Sequence, residues 1–474
     1  MENNVNSQQP PLNYTTKLAY GIGDLGGSIT GNILLFFLSP FLTDVVGLAP
    51  SLAGLSQLVG KFWDAINDPI VGVLSDRTQS KLGRRYPWMI YGAIPFGIFF
   101  FLQWIIPHFS DNNNINQWGL FGYYTLISIL FNSFYTVVNL PYTALTPELT
   151  DDYNERTSLN SFRFFFSIAG SILSVIIFGI IGNIWGNNPQ LHYIIVGIIC
   201  AVLSVIPIYI CVWGTSDRTL SSPIQNAQIN KENHTAFWQQ LKTLLTNKPF
   251  LFVLGIYLFS WLSMQLTATI LPYFVMSYMR LSNQNVVPVV LAVQGTAMIM
   301  LFVWSKVSER FGKKEAYFMG MSLWIIAQAG LFFLQPGQVI LMFTFAVLAG
   351  FGVSVAYLIP WSMLPDVIDF DELNTGERNE GIYYSFMVFL QKVCLGVAVS
   401  LVLQCLDWTG YIKPTNPQII PIQPETVLWI IRIAIGPLPT ISLILGLILA
   451  YFYPITRVFH QEILLRLREK KSEN

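Results

Sequence analysis

Lys61-Phe62-Trp63-Asp64-Ala65-Ile66-Asn67-Asp68-Pro69 sets two carboxylates and an ammonium in the middle of an otherwise apolar segment, roughly Pro50 to Asp76. On an α-helix Lys61, Asp64 and Asp68 are spaced i, i+3 and i+7 and share one face, with Asn67 beside them. If the segment crosses a bilayer, these groups sit near its midplane. A charge there costs roughly 2.5–3.5 kcal/mol on insertion scales and must face a polar interior or a partner. The stretch therefore predicts an ion-binding or proton-carrying site inside an integral membrane protein.

Composition agrees with that premise. The 474 residues are 53% apolar and 11% charged, where a soluble domain carries about 25% charged residues. Mean hydropathy is +0.52. Net charge is zero, so there is no global basic surface for nucleic acid. Cys200 with Cys211 and Cys394 with Cys405 lack metal-ligand spacing and form no disulfide framework. Met1 to Asn13 is polar and has no signal-peptide h-region. No Gly-x₄-Gly-Lys-Ser/Thr loop is present, so no nucleotide cofactor is implied.

Working outward, apolar stretches long enough to cross roughly 30 Å of hydrocarbon recur twelve times, at 18–43, 51–76, 88–107, 118–146, 162–182, 190–213, 250–279, 286–305, 316–335, 338–364, 382–405 and 427–453. The polar stretch 215–248 reads as a cytoplasmic linker between halves 1–214 and 249–474. Basic residues cluster in the even-numbered connections and the tail, for example Arg77, Lys81, Arg84 and Arg85, then Lys306, Arg310, Lys313 and Lys314. Arg156, Arg378 and the linker basics fall on the same side. Only Arg280 and Lys413 fall opposite, while Lys61, Arg163, Lys392 and Arg432 lie within spans. Both termini are thus expected in the cytoplasm, in the plasma (inner) membrane. The tail after Pro454 is expected to lie along the inner interface, and Arg432 to snorkel outward.

The halves repeat each other. Asp76-Arg77 followed by Gly83-Arg84-Arg85 is matched by Glu309-Arg310-Phe311-Gly312-Lys313-Lys314. Pro141-Tyr-Thr-Ala-Leu-Thr-Pro147-Glu148 is matched by Pro360-Trp-Ser-Met-Leu-Pro365-Asp366, and lone Arg163 by lone Lys392. Basic inner loops are common to all multi-span proteins, but that does not explain the shared glycine or the Pro-aromatic-hydroxyl run. The reading is a parallel duplication: an all-α integral membrane protein with twelve transmembrane helices in two pseudo-symmetric six-helix bundles, the major facilitator fold.

The chain resembles the glycoside–pentoside–hexuronide:cation symporters, the melibiose permease family within the major facilitator superfamily. The marks are Trp63-Asp64-Ala65-Ile66-Asn67-Asp68-Pro69, Leu82-Gly83-Arg84-Arg85-Tyr86-Pro87-Trp88, Leu140-Pro141-Tyr142, Phe162-Arg163-Phe164-Phe165 and Gln391-Lys392. The resemblance implies that Asp64 and Asp68 ligate the coupling cation, with Asn67 nearby and Thr136 supplying a hydroxyl. It carries Arg163 and Lys392 onto the substrate cavity. The family's sugar-binding acids fall on Ser28 and Asn139 here, with Asp24 one turn before Ser28, and its stacking aromatic falls on Thr143. The runs Ile359–Asp369 and Leu406–Tyr411 are similar to the branch of the sodium-dependent lysophosphatidylcholine symporter.

Each site has a bland alternative. Asp64 and Asp68 could form a structural salt bridge with Lys61 and Arg163, yet two acids and one local base leave surplus negative charge that favours a cation. Oxygen ligands suit Na⁺, and two close carboxylates also permit H⁺. Arg163 and Lys392 could merely neutralise that pair. Asp24, among Gly21, Gly23, Gly26 and Gly27, could face a close-packed neighbour. The loop groups Asp76, Arg84, Arg85, Glu309, Arg310, Lys313, Asp366 and Asp369 read either as a gating latch or as a solvated inner surface.

The resulting expectation is a monomeric, cation-coupled (Na⁺ or H⁺) symporter working by alternating access, with lipid around it. Its substrate is a sugar or glycoside, or alternatively a lysophospholipid. A channel would lack counterflow. A membrane enzyme is not expected, because His108, His192, His234 and His460 are scattered.

Overall fold

In hydrocarbon only a ladder of hydrogen bonds within the segment satisfies every backbone N–H and C=O of an isolated span. Long apolar runs should therefore be helices, and they are. A computed structural model describes residues 12–150, 153–220, 244, 246–282, 285–375, 380–414 and 421–473, and among these there is no strand. In chain order the helices are α1 (Tyr14–Ile33), extended by π-helical turns at Leu34–Leu38 and Phe41–Val45; α2 (Pro50–Arg77); α3 (Tyr86–Leu102); α4 (Asn113–Thr143); α5 (Thr146–Leu149); α6 (Tyr153–Trp185); α7 (Pro189–Leu220); and α8 (Lys248–Tyr273), with a π-helical turn at Phe274–Tyr278. They continue with α9 (Val286–Phe311), α10 (Lys313–Phe333), α11 (Val339–Thr375), α12 (Glu380–Trp408), α13 (Glu425–Ile435), α14 (Pro437–Phe452) and α15 (Arg457–Glu473).

Ten of the described helical stretches are long and apolar enough to cross a membrane, with α13 and α14 forming one of them. The charged α2 and the shorter, apolar α3 occupy the second and third expected spans. Asn112 caps α4 by accepting from the N–H groups of Asn114 and Ile115, and Asn247 caps α8 through Phe250. The duplicated loops share a backbone requirement: Gly83 and Gly312 sit at φ +83° and +111°, where a Cβ is strained. One boundary is corrected. The tenth expected span stops at 364, but α11 runs on to Thr375 through Pro360 and Pro365 and carries Asp366 and Asp369 with it.

The chain divides into two compact units, Met1–Leu34 with Ile66–Asn230 and Leu35–Ala65 with Lys231–Asn474. The division differs from the 1–214 and 249–474 halves by the segment Leu35–Ala65. That segment packs within the second unit: a Cβ on Gly54 would stand 3.0 Å from Ser400, and Gly396 lies against Lys61 and Leu58. Most of the expected linker 215–248, and Arg378, lie outside the described residues.

In the first unit α1 packs on α6 and α7, and α3 on α4 and α7. The α1–α6 approach is close enough that a Cβ on Gly21 would lie 2.9 Å from the backbone of Phe162. In the second unit α8, α10 and α11 bury Tyr257, Tyr317 and Trp324 completely. The hydroxyls are satisfied there, Tyr257 donating to Gln391 at 2.6 Å and Tyr317 meeting Ser260 at 2.8 Å. The tail also packs on protein. Ile463 and Leu467 of α15 join this core at 1% and 8% exposure, and Phe459 packs on Phe370 of α11, while Val458 and Leu465 stay exposed.

Candidate functional site

Helix α2 carries the charged stretch without a break, although Pro69 lies inside it. Proline has no N–H to give the Ala65 carbonyl one turn earlier, so an oxygen acceptor is loosened beside Asp64. Asp64 is 1% exposed. Its two carboxylate oxygens face two ammoniums, Lys392 at 3.0 Å and Lys61 at 3.7 Å. These three residues belong to the second unit.

Asp68 and Asn67 belong to the first unit. Asp68 accepts from the Thr136 hydroxyl at 2.8 Å. Asn67, 7% exposed, donates to the Ser133 carbonyl at 3.4 Å. Thr136 thus touches an acid of the quoted stretch, and Ser133 is an unforeseen partner one turn before it. Among the described residues no group of three His, Cys, Asp or Glu side chains is placed to hold a metal. The oxygen donors at hand are carboxylate, hydroxyl, amide and carbonyl.

Arg163 does not join the acids of α2. It faces Asp24, and its side chain hydrogen-bonds Tyr20. It also lies 5.0 Å from the Phe164 ring centroid, and its Nε is buried with no hydrogen-bond partner among the described residues. Ser167, one turn after Arg163, hydrogen-bonds Asp24 and meets the Ser28 hydroxyl at 2.7 Å. Asp24, Ser28 and Arg163 therefore form one polar cluster on α1 and α6. Asn139 donates to the Tyr135 hydroxyl at 3.3 Å, and the Thr143 hydroxyl turns back onto the Leu140 carbonyl at 2.9 Å, so these two stay within α4.

The loop charges are paired. Arg85 holds Asp76 and Glu148, the latter at 3.0 Å, and donates to Ser75 at 2.8 Å; Arg84 reaches Glu148 at 2.8 Å. In the second unit Lys313 bonds both oxygens of Asp366, at 2.7 and 2.8 Å. Asp369 meets His460 of α15 at 3.0 Å, a partner the sequence did not suggest. The Arg310 carbonyl accepts from Arg457. Among the described residues Glu309 makes no ion pair; it lines a cavity of about 280 Å³ with Lys313 and His460.

The family described as MFS/sugar transport protein matches residues 19–457. The chain belongs to that family. A Synechocystis sp. (strain ATCC 27184 / PCC 6803 / Kazusa) protein named uncharacterized symporter sll1374 is 47% identical, over 98% of both chains. Sodium-dependent lysophosphatidylcholine symporter 1 of Xenopus tropicalis is 29% identical, over 98% of this chain and 92% of its own. An Escherichia coli (strain K12) protein provisionally named glycoside/cation symporter YagG is 28% identical, over 94% and 93%. The fold matches that of a mutant form of nucleoside transporter NupG, with a TM-score of 0.63, 14% identity and coverage of 93% and 99%. MFS membership makes this an integral, multi-pass membrane protein with the major facilitator fold.

Proposed function

We propose that this MFS protein is a cation-coupled symporter working by alternating access, with Asp64 and Asp68 of α2 as cation ligands. The observation that carries the reading is the pairing at Asp64. A buried carboxylate is held by Lys392 and Lys61 rather than left to water. An incoming Na⁺ or H⁺ competes with the Lys392 ammonium for the same oxygen. Once displaced, Lys392 is a strong donor free to meet the substrate. Cation and substrate thereby favour each other without touching, which is what coupling requires. Asp68, Thr136 and Asn67 complete the oxygen set, and Arg163 with Asp24 and Ser28 supplies a second polar contact for substrate. The relatives named as symporters support this reading.

The orientation proposed is both termini in the cytoplasm of the plasma (inner) membrane, as a monomer of two six-helix halves. The chemistry is carriage, with no catalytic step. The paired loop charges act as inner latches.

For the substrate, a sugar or glycoside fits the family description and YagG. A lysophospholipid is favoured by a specific observation. The positions of the family's sugar-binding acids are filled by Ser28 and Asn139, so no carboxylate stands there to accept from sugar hydroxyls; the Ser28 hydroxyl meets Ser167 and the Asn139 amide donates to Tyr135. Uptake into proteoliposomes with and without an imposed Na⁺ or pH gradient tests the class, and competition by glycosides against lysophospholipids separates the substrates. No gradient-driven uptake or counterflow of either would sink the reading.

Thr136→Ala is expected to weaken the apparent cation affinity about tenfold, since it removes one hydroxyl bond to a charged acceptor. Maximal uptake should be kept. The half-saturating cation concentration measures this, and an unchanged value removes Thr136 from the site.

A further inference from the structure

Asp44 lies on the π-helical turn Phe41–Val45, past the apolar run that ends at Leu38. Its Oδ1 accepts from the Thr43 hydroxyl at 2.8 Å and from the Tyr411 hydroxyl at 3.1 Å. Thr43 also meets the Tyr273 hydroxyl at 2.9 Å, and the Tyr273 ring stands edge-on to Tyr411 at 5.5 Å. Ser277 hydrogen-bonds Tyr411 from the same stretch of chain as Tyr273. Three residues past Asp44, the carbonyl of Gly47 accepts from the Lys413 ammonium at 2.5 Å.

All of these residues lie in the second unit. They tie the turn Phe41–Val45 and Gly47 to the chain that follows α12 at two points, Asp44–Tyr411 and Gly47–Lys413. The charged groups acting here, among the described residues, are Lys413 on Asp44 and Asp407 on Lys413.

Burial penalises the Asp44 carboxylate more than its hydroxyl donors and Lys413 favour it, and its pKa is raised from 3.8 to about 6. If the turn swings away, Asp44 meets water and the ordinary value returns. The tied arrangement therefore binds a proton more tightly than the released one. Its gain is fully present below about pH 3.8 and is lost as pH rises through about 6.

We propose that Asp44 is a proton-binding site, separate from the carboxylates of α2, whose protonation holds the turn Phe41–Val45 closed against the Tyr411–Lys413 segment. Acid therefore favours the tied arrangement. That the tie lies on the outer side rests on the orientation proposed above; the tie itself does not.

The test is a distance measurement on the full chain in lipid nanodiscs. Cys200, Cys211, Cys394 and Cys405 are replaced by alanine, and spin labels are attached through Val46→Cys and Ile412→Cys. Between pH 7.5 and pH 5 the ratio of short to long distances should rise about tenfold. Asp44→Asn should hold the ratio constant over that range. Tyr411→Phe removes a donor to the charged form and should move the midpoint to higher pH. A ratio that ignores pH in the parent protein, a pH response that survives Asp44→Asn, or an unmoved midpoint in Tyr411→Phe each overturns the proposal. The readout needs no substrate, so failed uptake with an intact distance response would sink the transport reading alone.

Discussion

Asp64→Asn is expected to abolish cation-stimulated uptake, a loss of at least about a hundredfold. Replacing the carboxylate removes the charge that attracts the cation, and about 2.7 kcal/mol of lost binding already corresponds to that factor. The variant also leaves Lys392, whose side chain is 16% exposed, facing a neutral amide. Removing one partner of a buried ion pair costs about 3–5 kcal/mol, so Asp64→Asn should fold less stably as well. The double variant Asp64→Asn with Lys392→Met separates the two effects. It removes the stranded ammonium and should recover folding, measured by thermal unfolding, without recovering Na⁺- or H⁺-driven uptake in proteoliposomes. Unchanged cation dependence in the single variant, or coupled uptake returning in the double one, would remove Asp64 from the cation site.

Arg85→Ala should be the most destabilising change in the first unit's loops, by about 3 kcal/mol. Arg85 is 10% exposed at its side chain and satisfies Asp76, Glu148 and Ser75 together. Its neighbour Arg84 reaches the same Glu148 oxygen with a side chain 43% exposed. Exposed pairs are worth less than about 1 kcal/mol, so Arg84→Ala should barely move the unfolding midpoint. If the two alanine variants unfold alike, the buried latch is not what holds these helix ends.

The helical architecture was legible because the bilayer leaves apolar sequence so few choices. The repeated glycines were legible too, and Gly83 and Gly312 show why: each occupies a backbone region that other residues resist. That Asp64 meets Lys61 one turn earlier followed from helical spacing. What could not be read was which base would take which acid. Lys392 found Asp64, while Arg163, equally lone in its span, found Asp24 and Tyr20 instead. Those choices depend on how helices distant in sequence are rotated against each other, which local periodicity does not encode. Arg432 makes the same point: local periodicity does not show that it stacks on Phe332 and Trp429 at 4.8 Å and donates to the Phe332 carbonyl. A lone histidine in a polar tail carries no pattern, so nothing in the sequence links His460 to Asp369.

The docked tail has a practical corollary for anyone handling this protein. Trimming the chain at Pro454 to tidy a charged end would strip Ile463 and Leu467 from the interior and leave Phe370 facing water. Such a shortened form should be sticky in detergent and poorly expressed. A purification handle is better placed after α15 than substituted for it.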